Sequence, residues 1–363
     1  RVRGDFDPAN PNGSPNRGFD AIRVGTSNHT TIHQCHLSGI ASAIDPTDAQ
    51  NLVVNDSKIE NWSGYGMLMG DGGWVSFNGV SLVQDPFAVN GSGPPSAEDG
   101  PVRISRPNGP VSFHQVDIFT NNGSVGTSGV KANIEWLTGT VPAPQSLVIE
   151  RARTEGGRIL GGADGSSALM RVLLDKVHHV STYSPSSLLQ LRNPGTTARN
   201  IVIVAPDVEP LSTTGTRNLV SFSVETPSAA EGLYPKEIYS CTLIDLRSPE
   251  NAENSSGAPR AFEPFSGGAG ENCVVFAPRL AEGTEEDAPL DATSRWTPRN
   301  PGRSIEGLPF DPAFATPAEA AALYSPLTLS PAIGSADTSS NTAVDDFFGV
   351  RRPDRPSRGA TEP

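Results

Sequence analysis

One eight-residue pattern recurs along this chain and limits its fold more than any other feature. Apolar and variable residues alternate, a turn residue interrupts the alternation, and an apolar residue follows it. The copies are TTIHQCHL (30–37), LVVNDSKI (52–59), VSFNGVSL (75–82), VSFHQVDI (111–118), LVIERART (147–154), VLLDKVHH (172–179), IVIVAPDV (201–208) and KEIYSCTL (236–243). Alternation with period two predicts short strands, and a unit of roughly 20 to 30 residues repeated in this way predicts a solenoid.

The first copy predicts how each turn places its side chains. Alternation puts Thr30 and Ile32 inward, and a bend at Gln34 shifts the phase by one residue. Cys35 and Leu37 then also point inward. Each copy is therefore predicted to be two short strands joined by one corner.

A second column indicates a third strand in each turn. Ile22, Ile44 and Met67 each stand ten residues before the second inward position of the first three copies. Helical repeats need a period of 3.6 and leucine-rich repeats need the pattern LxxLxLxxN, and neither is present. We therefore predict an all-β fold, a parallel β-helix with three strands per turn, over residues 1–280. Residues 281–363 are predicted to form a loop-rich C-terminal cap and tail packed on the β-helix. Residues 277–312 are predicted to be a long loop, and TPAEAAALY (316–324) is predicted to be a short helix.

Composition excludes some partners. The net charge is −13, and a phosphate-binding surface needs clustered Lys and Arg, so we expect no nucleic acid partner. No apolar run has the roughly 18 residues of a membrane span. The chain starts without Met, and we expect a leader or an N-terminal part to precede it.

Three histidines and a cysteine lie close together in HTTIHQCH (29–36). This cluster is typical of a metal site or of a nucleophile with its base. The repeat offers a simpler interpretation, because Cys35 and Cys241 fill the same small inward slot, where a free cysteine acts as a small hydrophobe. His33 and His36 then flank the corner and point outward.

The end of the chain, LSPAIGSADTSSNTAVDDFFGVRRPDRPSRGATEP, resembles the C-terminal signature of secreted bacterial right-handed parallel β-helix proteins. The matched residues are Ser330, Pro331, Ala332, Ile333, Asp345 or Asp346, Phe348, Gly349, Arg351 or Arg352, Gly359, Ala360 and Glu362. The resemblance implies a right-handed β-helix and an extracellular, secreted or cell-surface location. We expect Asp345, Arg352 and Glu362 to tie the tail onto the last turn.

The front half, FDAIRVGTSNHTTIHQCHLSG followed by ASAIDPTDAQNLVVNDSKIENW, resembles the pectate lyase family. The resemblance implies the same fold and a calcium-assisted β-elimination on a polyuronate. Asp20 and Asp45 match calcium ligands of the family, whereas Gly18 and Ala41 replace two others. The implied cofactor is therefore Ca²⁺ on a thin ligand set.

The resemblance also implies catalytic residues. Arg103 is the best match to the arginine that removes the proton, and Arg106 is the second. The segment 63–68 lies where the family has a catalytic Lys, and it contains none. The candidates for substrate binding are Arg23, Tyr65, Trp74 and Lys131.

Three interpretations of this region stay open. Arg23, Asp45, Leu68 and Arg103 are expected to stack as outward neighbours on successive turns. They form a solvated charge ladder, a sugar-binding surface or an intact lyase site.

We expect a polysaccharide-binding or polysaccharide-degrading β-helix protein that acts on an acidic or neutral polysaccharide as a monomer. The sequence leaves open whether it is an enzyme. If it is, a polysaccharide lyase is favoured over a glycoside hydrolase. The alternative is a structural or adhesive β-helix, such as a phage tail spike or a surface fibre subunit, which would be a homotrimer and, for a spike, part of a virion.

Overall fold

The computed structural model of the chain is all-β, and the described part contains strands and turns but no helix. The described residues are 2–3, 20–26, 28–38, 42–45, 50–60, 62, 65–69, 73–84, 102–105, 109–120, 132–137, 145–156, 158–162, 170–181, 187–190, 196–205, 218–221, 236–245, 268–276, 295–297 and 332–363. The chain divides into two compact units, Arg1–Arg171 and Val172–Pro363.

The first unit contains strands β1 to β17. They are β1 (Val2–Arg3), β2 (Asp20–Arg23), β3 (Thr30–His33), β4 (His36–Ser38), β5 (Ser42–Asp45), β6 (Asn51–Asn55), β7 (Lys58–Glu60), β8 (Tyr65–Met69), β9 (Trp74–Asn78), β10 (Ser81–Gln84), β11 (Val102–Ser105), β12 (Val111–His114), β13 (Asp117–Thr120), β14 (Ala132–Leu137), β15 (Gln145–Glu150), β16 (Arg153–Gly156) and β17 (Arg158–Gly162).

Every third strand of the first unit joins the same parallel sheet. Sheet A has the order β1-β4-β7-β10-β13-β16, sheet B the order β2-β5-β8-β11-β14-β17, and sheet C the order β3-β6-β9-β12-β15. Parallel pairing of strands three apart needs the chain to pass through all three sheets before it returns. This order is compatible with a parallel β-helix of three strands per turn.

The second unit repeats this arrangement. Its strands are β18 (Met170–Asp175), β19 (His178–Ser181), β20 (Ser187–Gln190), β21 (Thr196–Arg199), β22 (Val202–Ala205), β23 (Asn218–Ser221), β24 (Lys236–Tyr239), β25 (Thr242–Asp245), β26 (Gly268–Glu271), β27 (Val274–Phe276) and β28 (Arg295–Thr297). We name its sheets A′ (β19-β22-β25-β27-β28), C′ (β18-β21-β24-β26) and D (β20-β23).

The predicted corner is confirmed, and it has one backbone conformation throughout. A residue with positive φ directly follows each strand of sheets C and C′. The eight non-glycine corner residues have φ between 48° and 57°, and they are Gln34, Asp56, Gln115, Arg151, Lys176, Asn200, Ser240 and Asn272. Gly79 takes the same place with φ of 63°. A single left-handed residue turns the chain from one sheet into the next.

The predicted inward columns are also confirmed. Ile22, Ile44 and Met67 are successive Cα partners on sheet B. The inward rows of sheets A and C are mostly apolar in the first turns, and Phe77 stacks on Phe113 with ring centroids 5.1 Å apart. These rows form the core of the first unit.

Two details of the sequence interpretation are wrong. The copy predicted at 201–208 is displaced, because its corner residue is Asn200 and its strands are β21 and β22. A long loop was predicted for 277–312, yet residues 295–297 of it form β28, which pairs with β27. The short helix predicted at 316–324 lies outside the described residues. The domain boundary predicted at residue 280 stays a prediction.

Candidate functional site

The predicted charged column lies on sheet B. Arg23 pairs with Asp45, and Arg103 pairs with Leu68 on one side and with Glu135 on the other. Arg23 Nε lies 3.7 Å from Asp45 Oδ2, and the Arg23 side chain is 74% exposed whereas that of Asp45 is 12% exposed. The carboxylate of Asp45 is therefore largely covered. In the solvated charge ladder, one of the three interpretations of the sequence, it would be exposed to water.

The remaining predicted residues fall on neighbouring strands or outside the described part. Asp20, Ser42 and Tyr65 are successive Cα partners. The structure describes the backbone alone at Asp20, Tyr65 and Arg103, and Arg106 and Lys131 lie outside the described residues. The roles of these five side chains stay predictions.

Trp74 is an exposed aromatic at the start of β9, with 64% of its surface accessible. Its backbone N–H donates a 2.8 Å hydrogen bond to the carbonyl of Gln50. A Cβ at Gly109 would lie 2.5 Å from Trp74 Cδ1, and one at Gly73 would lie 2.5 Å from the Gln50 oxygen. Gly109 thus leaves room for the edge of the indole, and Gly73 leaves room for the Gln50 backbone, while most of the Trp74 surface faces solvent.

The same corner carries the charged pair. Arg23 and Asp45 are the last residues of β2 and β5 in sheet B. Trp74 is the first residue of β9, which follows β8, the next strand of sheet B. Asn51, the Cα partner of Trp74, donates its amide to the carbonyl of Asn28 at 2.9 Å. The corner between sheets B and C, where the chain passes from one sheet to the other, therefore contains an exposed indole, an exposed guanidinium and the side-chain amide of Asn51.

Calcium binding requires about six to eight oxygen ligands. The Arg23 guanidinium is one neighbour of Asp45, and its positive charge competes with a cation for the carboxylate. Within the described residues no three His, Cys, Asp or Glu side chains group as a metal site would need. Calcium at Asp20 and Asp45 stays a prediction.

The histidine and cysteine cluster that opens the repeat has simple partners. His33 Nδ1 lies 3.6 Å from Asp56 Oδ2, and His36 Nε2 lies 2.5 Å from Glu60 Oε1. Cys35 is half-buried, and its backbone N–H donates to Ser57 Oγ at 3.1 Å. Both histidines point outward as predicted, and each faces a carboxylate on the next turn.

A polar row on the outer face of sheet C was not predicted. Asn78 Nδ2 donates to Asn55 Oδ1 at 2.9 Å, and His114 Nδ1 lies 3.3 Å from Glu150 Oε2. These residues all precede the corner, so they stack on successive strands. The sequence signal was the polar residue just before each turn residue.

A second cluster that sequence reasoning missed lies on the outer face of sheet A. Asp117 pairs with Arg153 and Phe119 pairs with Glu155, and the Arg153 guanidinium carbon lies 4.7 Å from the Phe119 ring centroid. Burial raises the pKa of both Asp117 and Glu155 above their ordinary values, although the Arg153 charge acts in the opposite direction. The four side chains form a partly covered charged patch.

In the second unit, the four corner side chains hold the C-terminal tail (332–363). Lys176 Nζ lies 2.5 Å from Asp345 Oδ2, Asn200 Oδ1 accepts from Arg352, and Ser240 Oγ accepts from the Ala343 N–H. Asn272 donates to the Asp337 and Asn341 carbonyls and to Thr342 Oγ1. The tail was expected on the last turn only, but it is anchored at four successive corners.

No protein-family model matches this chain, and the comparison with curated proteins gave no match either. Within the described residues, the structure has no helix with the length and hydropathy needed to cross a membrane.

Proposed function

We propose that this chain is a right-handed parallel β-helix, similar to the pectate lyase-like superfamily, that binds an acidic or neutral polysaccharide at the corner between sheets B and C. The right hand follows from the rule that crossovers between parallel strands are right-handed in nearly all proteins. We further propose an extracellular location, as the resemblance of the tail implies.

The observation that carries the proposal is the exposed indole of Trp74. Indole is the largest apolar side chain, and tryptophan is highly buried on average in proteins. The indole is 64% exposed, and its Cδ1 lies beside Gly109. An exposed aromatic face is suited to stack on the apolar face of a sugar ring.

The neighbouring charges favour an acidic polymer. The Arg23 side chain is 74% exposed, and its Nε lies as far as 3.7 Å from Asp45 Oδ2. Its guanidinium therefore has N–H donors that can bind a ligand. Guanidinium binds carboxylates with two parallel hydrogen bonds. A uronate unit would place its carboxylate on Arg23 while an adjacent ring lies on Trp74.

A binding measurement tests the proposal. Polygalacturonate, alginate and neutral xylan are titrated against the full chain and against Trp74→Ala. We expect the substitution to weaken binding at least tenfold, about 1.4 kcal/mol or more. Phe348→Ala is the matched control, because Phe348 is an exposed aromatic of the second unit, and its affinity should equal that of the wild type. Equal affinity of Trp74→Ala and wild type would contradict the site.

A lyase activity is tested separately. β-Elimination yields an unsaturated product that is followed by its ultraviolet absorbance, with and without added calcium. An increase that needs calcium and is lost in Arg103→Ala would support catalysis by the residues that the pectate lyase resemblance implies, with Asp20 and Asp45 as ligands. Binding without any increase would leave a carbohydrate-binding protein.

The structural or adhesive alternative predicts a different result. It expects no binding to any of the three polymers and a trimer in sedimentation equilibrium. A monomer that binds one of the polymers would exclude it.

A further inference from the structure

Two buried cysteines occupy the same slot on successive corners of the second unit. Cys241 and Cys273 each follow a corner residue, and the residues directly after them, Thr242 and Val274, are Cα partners. The Val274 N–H donates to the Cys241 carbonyl at 2.8 Å. The two cysteines are therefore neighbours across adjacent parallel strands.

Both cysteines lie in the core, with 0% of their surface exposed. They stand at the same position of adjacent in-register strands. Each sulfur also approaches the carbonyl two residues before it, at 3.1 Å from Tyr239 O and 3.3 Å from Glu271 O. The two side chains thus leave the corner in the same direction.

The spacing of the backbone suits a covalent link. Adjacent strands lie about 4.8 Å apart, and disulfide-bonded cysteines have Cα atoms about 4.4–6.8 Å apart. The corresponding inward slots of the first unit hold Cys35, Ser57, Val80, Val116 and Ala152, so residues of several kinds fill this place. The second unit differs in having cysteines in this slot on two adjacent strands.

We propose that Cys241 and Cys273 are a redox-active pair that forms a disulfide between two successive corners when the protein meets a disulfide oxidant. This inference is independent of the polysaccharide proposal. It assigns a modification site to a part of the core that the sequence suggested only as a small apolar slot.

The reaction balances with a small disulfide such as oxidised glutathione. The thiolate of one cysteine attacks a glutathione sulfur, breaks the glutathione disulfide and releases one glutathione thiolate, which takes up a proton. The second cysteine loses its proton and attacks the mixed disulfide, which releases the second glutathione. Two protein thiols are oxidised, and one glutathione disulfide is reduced to two thiols.

The buried site makes the reaction slow and pH-dependent. Burial, together with the Cys273 thiol, raises the pKa of Cys241 well above its ordinary value. Because the thiolate is the attacking species, we expect the rate to increase by up to about tenfold per pH unit near neutrality. The corner must also open locally before the oxidant can enter.

The link would reinforce the docking of the tail. Ser240 and Asn272, the residues before the two cysteines, both hold the tail through side-chain hydrogen bonds. A disulfide fixes the two corners relative to each other and restricts the unfolded chain. We therefore expect the oxidised form to resist unfolding more than the reduced form.

The test oxidises the full chain with oxidised glutathione, once as the native protein and once during refolding from denaturant. Intact mass, peptide mapping and thiol titration in denaturant follow the product. We expect the mass to fall by two hydrogens, a cross-linked peptide that joins Cys241 to Cys273, and Cys35 as the remaining thiol. The melting temperature should increase by roughly 5 °C or more.

Cys241→Val and Cys273→Val are the matched controls, because valine fills the same slot at Val80 and Val116. Each should fold, lack the cross-linked peptide and melt at the same temperature with and without oxidant. Free thiols or glutathione adducts at both positions after refolding with oxidant would overturn the proposal. A cross-link that involves Cys35 in place of either partner would overturn it too.

Discussion

Arg352 is a buried cation in the tail whose five N–H donors all have acceptors. The acceptors are the Asp345, Ser357 and Gly359 carbonyls, Asn200 Oδ1 and Glu362 Oε1. The Arg352 and Glu362 side chains are only 3% and 11% exposed. Such a pair fixes the geometry of the tail, and removing one partner leaves the other charge covered.

We expect Arg352→Met to lower the free energy of unfolding of the second unit by about 3–5 kcal/mol. The cost comes from the Glu362 carboxylate, which loses its partner at 2.6 Å. Denaturant titration combined with hydrogen exchange of the tail amides measures it. Arg351→Ala, at the exposed neighbouring position, should stay within about 0.5 kcal/mol of the wild type, and an equal loss in both variants would refute the argument.

Asp345 makes tail docking dependent on pH. Burial would raise the pKa of Asp345, but the hydrogen bond and charge of Lys176 lower it below its ordinary value of 3.8. A carboxylate with a lowered pKa stabilises the folded state above its ordinary pKa and loses this effect as pH falls through the lowered value. The stability difference between wild type and Asp345→Asn should therefore be largest near neutral pH and vanish in strong acid. A stability difference between wild type and Asp345→Asn that grows towards acid pH would contradict a stabilising ion pair of Lys176 and Asp345.

At the scale of elements, the corner is the unit that is repeated. Corner residues of the first unit, such as Gln34 and Gln115, are exposed, whereas those of the second unit, such as Asn200 and Asn272, are buried and hold the tail. All share a left-handed backbone conformation. This conformation costs an ordinary residue about 1–2 kcal/mol and is most unfavourable for β-branched residues.

Substitutions at Gln115 test this conformation, because its φ is 54° and its side chain is exposed. Gln115→Gly should keep or slightly increase the melting temperature, since relief of strain offsets the entropy of glycine. Gln115→Val should destabilise the first unit by about 1–2 kcal/mol. Thr31→Val, at an exposed strand position, is the control and should have little effect. If valine leaves the stability unchanged at both positions, the corner at Gln115 is not strained.

At the scale of the whole molecule, the outer faces of sheets A and A′ differ. From β4 to β13, outer residues of sheet A are exposed or half-buried, as at Lys58 and Asp117. Outer residues of sheet A′ are buried, as at Val202 and Thr242, and the Ala360 N–H donates to Thr242 Oγ1 at 2.9 Å. The tail therefore covers an apolar sheet face that water would otherwise contact.

A chain that ends at Pro331 should expose this face. We expect dye binding typical of exposed apolar surface to increase several-fold and the second unit to unfold at lower denaturant concentration. Arg351→Ala in the full-length chain should behave as the wild type. A truncated chain with unchanged dye binding would show that the tail is not what covers sheet A′.

Much of the repeat was predictable from the sequence. Gln34 as the corner and Leu37 as an inward residue followed from period-two alternation and its phase shift, which are local properties of the chain. The misplaced copy at 201–208 shows the limit of this reasoning. IVIVA (201–205) is apolar at every position because both faces of β22 are buried, so its alternation was lost and its register could not be read.

The sequence by itself determined the strand period, the corner at each turn and the apolar rows, because these depend on residues close together in the chain. Only the tertiary structure decided which side chains from distant positions meet. It brought Arg352 to Asn200, Cys241 to Cys273 and an exposed Trp74 to the end of sheet B. These contacts depend on where the chain returns after each turn and on where the tail is anchored, and neither is encoded in a local pattern.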